Sequence, residues 1–312
     1  MDLNTALRVN PDPDPNRDIV DLTEGFGRRD NASFLAEVAR GLREASKIEG
    51  ANGTRIDPGG VGCIGLMGEY GFVGHACRQA QAVLGLDRRP SFWSHAFLLV
   101  DPLSIEDIDN RSSARSAVIW ESSLTPPPGR DWLTWRNGVN PRRIGEYSRK
   151  NFDPSAPHSV PNFAILAIGL TDAEREALLQ RASNADLDQL RYDLSGMRGS
   201  WLRYLSRRSG IPNPLAEGEA FPAAAYVQFA YDAANIDLTP GAHQRNTAPE
   251  HIWAAAQYLR DTFRTEIADS GEPAPRPLKA WYCVRDRTCA MAPEDAGTPT
   301  GLDDLLERGT TK

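Results

Sequence analysis

Short apolar runs bounded by turn residues, set between stretches of helical periodicity, most constrain what this chain can fold into. Cys63–Met67, Ser94–Asp101, Ala117–Glu121 and Phe163–Ile168 each have strand length and strand composition. The second and third are joined by a polar loop and predict one antiparallel pair. From Ala32 to Lys47, Phe34, Leu35, Val38, Leu42 and Ala45 fall on one helical face, Asn31 is placed to cap that helix, and the Gly-rich text Gly50–Gly62 ends it. Helices are also expected over Val73–Leu86, from Thr171 to Ser183 with Glu174 at the capping-box position, over Phe221–Ala234 opened by Pro222, and over Glu250–Thr262 behind Pro249. Strands and helices in this mixed order imply an α+β fold, an antiparallel sheet packed against helices.

With 312 residues, 40% of them hydrophobic, the chain can bury a sizeable core. Its net charge of −7 provides no field that would neutralise phosphates, so no nucleic-acid partner is expected. No stretch approaches the length of a membrane span, and MDLNTALRVNPDPDPNRD lacks the basic start and apolar run of a secretory signal. The expectation is a soluble chain made in the cytoplasm, without stable membrane insertion. Its text divides into an N-terminal arm and helical extension (1–57), a main domain (58–266), and a linker with a small C-terminal appendage containing Ala280–Cys289 (267–312). Within the main domain, the Pro- and Arg-rich Thr125–Pro161 reads as a long surface excursion over the site.

The four cysteines, Cys63, Cys77, Cys283 and Cys289, form no CxxC pair, and His75, His158, His243 and His251 show no HxxxH or HxH spacing. No metal and no cofactor is therefore expected. Cys283 and Cys289 flank a short polar stretch, and a hairpin disulfide or two free thiols both fit that spacing. Arg78, Arg142 and Arg143 read as solvated charge.

His95 stands near the start of one predicted strand and Glu121 at the end of the next. Antiparallel pairing makes such positions neighbours. A Glu so placed accepts a hydrogen bond from one ring nitrogen and raises the basicity of the other, which is what a general base needs. A His at a strand edge beside a solvated Glu is the plainer alternative.

The order GxxGLMGEYGFVGHACRQAQ, WSHAFLLVD, VIWESS, a further strand and helix, and the pair Tyr192–Asp193 resembles the circularly permuted branch of the NlpC-type papain-like cysteine hydrolases. That branch includes the YiiX-type proteins and the lecithin retinol acyltransferase group. AFPAAAYVQFAYDAANIDLTPG and NTAPEHI extend the likeness, which runs from Gly60 to Tyr258. It implies a permuted papain-like fold in which the His strand precedes the nucleophile helix. It also implies thiol acyl transfer, in which a cysteine at a helix start attacks a carbonyl, His95 moves the proton, Glu121 orients His95 and helix amides hold the oxyanion.

Laying Val227 and Ala230 on the family pattern puts the nucleophile at Ala223, where this chain has no thiol. A cysteine replaced by alanine, a relative that binds without cutting, and a one-residue shift to Ala224 or another nucleophile altogether are the alternatives. Trp93 and Trp120, near the dyad, and Tyr192 are the candidate substrate-binding residues. The resemblance implies hydrolysis of amide bonds in a cell-envelope or peptide-type substrate. Lipid acyl hydrolysis or acyl transfer is the second reading, and a catalytically inactive protein binding a peptide, small molecule or lipid headgroup is the third. Lack of a signal peptide fits export by a contact-dependent secretion machine as an antibacterial effector, with a secretion-machine or immunity protein as a further partner.

Overall fold

A computed structural model of the chain describes residues 19–26, 31–70, 72–84, 89–105, 116–122, 139–148, 160–184, 222–239, 247–257 and 276–289. Its strands are β1 (Ile19–Asp21), β2 (Ile64–Gly68), β3 (His95–Leu99), β4 (Val118–Glu121), β5 (Asn140–Arg143), β6 (Asn162–Ile168) and β7 (Leu278–Val284). They form one sheet in the order β1-β7-β6-β2-β3-β4-β5, antiparallel throughout except for the β1–β7 pair. The helices are α1 (Thr23–Phe26), α2 (Asn31–Ala45), α3 (Phe72–Ala80), α4 (Gly145–Ser148), α5 (Asp172–Ser183), α6 (Pro222–Tyr231) and α7, residues 249–257. The α+β expectation holds at this level.

Helices cover both faces of the sheet, so β2, β3 and β6 are buried along their whole length and read as apolar runs rather than alternating ones. On one face, Ile64, Leu66, Ala96, Leu98, Ala164 and Leu166 pack against α3, α5, α6 and α7. On the other, Met67, Phe97, Leu99, Phe163, Ile165 and Trp281 pack against α2 through Phe34, Leu35, Val38 and Leu42. Two glycines make this second layer possible. A Cβ at Gly65 would stand 1.9 Å from the Phe97 ring, and one at Gly41 would stand 2.7 Å from the Trp281 indole.

Buried polar groups fix the end of the sheet where β6 begins. The Asn162 amide accepts from the Arg285 and Asp286 backbone N–H groups at 2.9 Å each and donates to the Phe92 and Asp286 carbonyls. Beside it, the guanidinium of Arg78 meets the Asp286 carboxylate at 2.6 Å and donates to the Ser91 carbonyl, with both side chains nearly fully buried. At the start of α5 the expected capping box is complete: Thr171 Oγ1 accepts from the Glu174 N–H, and the Glu174 carboxylate accepts from the Thr171 N–H.

Several expectations change. Ala280–Cys289, read as part of an appendage, supplies β7, an interior strand paired with β6 along its full length and with β1 on its other side. The sheet thus draws strands from all three expected segments. NPRR, read as part of a loop, is edge strand β5, where Pro141 needs no ladder partner on its outer side. Asn31 is the first residue of α2 rather than its cap, and its side-chain amide donates to the carbonyls of Tyr147 and Val160. All four cysteines are free thiols. Most of Thr125–Pro161, the end of the last predicted helix, the linker before β7 and Tyr192 lie outside the described residues. Among those described, no helix is long and apolar enough to cross a membrane.

Candidate active site

His95 opens β3, and its position is set from two directions. It lies opposite Met67 in the β2–β3 register, and the preceding Ser94 donates its N–H to the Met67 carbonyl at 2.7 Å while its hydroxyl accepts from the Glu69 N–H. Glu121 closes β4. The expected pair forms, with His95 Nε2 2.9 Å from Glu121 Oε2 and both side chains buried. No hydrogen bond reaches His95 Nδ1 from the described residues. One ring nitrogen is therefore held and the other is left to act.

Glu121 has two further partners that sequence reasoning assigned to solvent or missed. The Arg142 guanidinium lies 2.6 Å from Oε1, and the Tyr147 hydroxyl donates to the carboxylate at 2.9 Å. Arg142 Nη1 in turn donates to the Tyr147 hydroxyl at 2.9 Å, closing the cluster. Burial by itself would push the Glu121 carboxyl up, but His95, Arg142 and Tyr147 outweigh it and hold the group below its usual range. Tyr147 moves well above its usual range through burial and the adjacent carboxylate. The signal that could have found Arg142 is register: it sits opposite Ile119, which puts it on the face of Glu121.

Face, in fact, decides how the predicted site residues sort. Side chains alternate along a strand, so His95 shares its face with Phe97 and Leu99, which belong to the α2 layer, as does its cross-strand neighbour Met67. Ala223 and Ala224 belong to the opposite layer, packed with Ala96 and Leu98. The sheet therefore separates Ala223 from the His95 side chain, and the expected nucleophile–base pairing at that position is not formed. Trp93 and Trp120 also lie on the α6 side. Trp93 is a core side chain against Trp253, with ring centroids 5.2 Å apart, and Trp120 packs on the same core, so neither shields the dyad.

The short α4, which carries Tyr147, shares a face with His95, and so does the longer α2. Its first turn lies at the His95 end of the sheet, where the Phe34 ring meets Phe163 at 5.7 Å, and Leu42 lies at the other end beside Gly60 and Leu99. Asn31, Ala32 and Ser33 begin it. None of the four thiols takes the nucleophile's place. Cys63 precedes β2 at the far end of the sheet, and burial pushes its thiol well above the usual range. Cys77 packs in the α6 layer, while Cys283 shares the row and face of His95 but stands three strands away, about 14 Å by strand spacing. Cys289 contacts a different imidazole, His75, at 3.4 Å.

Among the described residues no three His, Cys, Asp or Glu side chains gather to hold a metal ion. No protein-family model, curated protein or solved structure matches this chain, so the reading of the cluster stands on its own geometry.

Proposed function

We propose that the α2 face at the His95 end of the sheet is an acyl-transfer site of papain-like type directed at amide bonds, present in this chain without its thiol. The observation that carries the reading is the buried His95–Glu121 pair at 2.9 Å with Nδ1 left without a described partner. In such a site His95 takes the proton of an attacking group and returns it to the leaving group, Glu121 fixes the ring, and the free amides of a helix start hold the developing oxyanion. The start of α2, Asn31–Ser33, lies in the layer on the face of His95 and carries no thiol of its own. As it stands the chain binds a carbonyl-bearing substrate rather than cutting it through a thiol. Export as an antibacterial effector belongs to the same proposal.

The test places single cysteines at positions 31, 32, 33 and 223 and measures iodoacetamide labelling in the folded chain. One thiol at the start of α2 is expected to label at least tenfold faster than a thiol at 223, and His95→Ala is expected to abolish the difference. Equal rates at all four positions, or rates indifferent to His95, would reject the site. The fastest variant is then given peptidoglycan fragments and phospholipid vesicles, with products read by mass spectrometry. Cleaved amides support the amide reading, free fatty acid replaces it with the lipid one, and turnover of neither assigns the cleft to binding.

A further inference from the structure

We infer that the His95 site takes a substrate carrying an ammonium group, and that Glu69 is the residue that holds it. The inference deepens the acyl-transfer reading and rests on it. Glu69 follows β2 at the His95 end of the sheet, two residues beyond Met67, which lies opposite His95 in the register. Strand rise and strand spacing put its backbone about 8 Å from that of His95. Its main chain is fixed from two sides. The N–H donates at 3.0 Å to the hydroxyl of Ser94, the residue before His95, and α3 turns so closely against it that a Cβ at Gly74 would stand 2.7 Å from the Glu69 Cβ.

The carboxylate is not fixed. Glu69 is half-buried, yet its side chain makes no hydrogen bond and no ion pair with the described residues. By contrast, Glu121 has His95, Arg142 and Tyr147, Asp286 has Arg78, and Glu146 accepts from the Arg143 N–H. Glu69 still acts electrostatically on Arg142 and Tyr147, so its charge is felt in a cluster that it does not touch. A half-buried carboxylate left without a partner beside a base is a receptor for a cation from outside the chain, and an ammonium group supplies both the charge and the donors. Two to three extended residues span the distance from Glu69 to His95, so the amino group and the carbonyl that His95 serves belong to one short segment. The substrate class is thus a short peptide or peptide-like amide with a free amino group close to the scissile bond, rather than a blocked or acidic one.

The test uses the full chain as it is, with histidine ring NMR spectra at one fixed neutral pH and the His95 signal assigned by its loss in His95→Gln. The probes are alanyl-alaninamide, which has a free amino group, and its N-acetyl form. The free amine is expected to move the His95 signal saturably and to bind about fivefold more tightly than the acetylated probe. Glu69→Gln should erase that preference, Glu69→Asp should keep part of it, and Glu146→Gln, which removes a nearby acid on α4, should leave it as in the wild type. Equal binding of the two probes, no saturable shift with either, survival of the preference in Glu69→Gln, or its loss in Glu146→Gln overturns the proposal. The comparison of the two probes in the wild type needs no variant to fold. No thiol is inserted and nothing is cut, so failure here leaves the acyl-transfer reading to its own test, and slow labelling at the start of α2 would leave the amine preference standing.

Discussion

Replacing Glu121 with Gln keeps the shape of the side chain and removes the charge on which His95, Arg142 and Tyr147 converge. The heaviest loss falls on Arg142, which is buried and would lose the carboxylate 2.6 Å from it. Glu121→Gln is expected to lower unfolding free energy by about 3–5 kcal/mol, measured by urea denaturation at neutral pH. The pH dependence has a definite sign. A carboxyl held below its usual range in the folded state contributes stability that is complete above its unfolded value, about pH 4.3, and is lost as pH falls through the lower folded value. Wild-type stability should therefore decline on acidification in that window, and the Glu121→Gln profile should be flatter there. At this scale the His95–Glu121 contact was legible because antiparallel pairing of adjacent strands brings a start beside an end. Arg142 was not, because an arginine in Pro-rich text reads as solvated until the register of β5 is known. The mistaken placement of Ala223 has the same root: sequence order locates a helix start but not the face of the sheet it covers.

The elements that sequence reasoning found were those with their own local signal. The period of α2 and the Thr171–Glu174 box needed no knowledge of the rest of the fold. That box carries an additional load in the structure, since Arg276, just ahead of β7, meets the Glu174 carboxylate with two nitrogens, at 2.6 and 3.0 Å. Arg276 is the main reason the Glu174 carboxyl falls to about 2. Thr171→Ala is expected to cost about 1 kcal/mol, the usual worth of a lost N-cap. Glu174→Gln removes a further contribution that is present above about pH 4.3 and fades as pH falls toward 2. Carboxyl titration by NMR and unfolding curves at pH 7 and pH 3 separate the two effects, with the disadvantage of the Gln variant expected to shrink at the lower pH. Elements with no such local signal were missed. β1 has three residues and β5 has four, and each exists because a neighbour offers it an edge.

For the molecule as a whole, the informative error concerned the C-terminal part. Pro- and Gly-rich text ahead of Ala280 reads as a boundary, and a boundary implies something dispensable beyond it. Instead, β7 gives one face of its strand to each helical layer, with Trp281 and Cys283 against α2 and Ala280, Tyr282 and Val284 in the α6 layer. A chain ending at residue 275 is expected to lose the cooperative fold altogether rather than a satellite, with near-ultraviolet circular dichroism and limited proteolysis as the measures. Retention of a native near-ultraviolet spectrum by that chain would restore the appendage reading.

The place of β7 between β1 and β6 also sets a timetable. During synthesis, the earliest strand, β1, has no partner until the latest one leaves the ribosome, and the apolar edge of β6 stays open for the translation of more than a hundred intervening residues. An unpaired edge of that kind is a template for pairing with other chains. At bacterial or eukaryotic elongation rates of about 5–20 residues per second, the exposure lasts several seconds or more. Until β7 has been made, the fold itself leaves that edge uncovered.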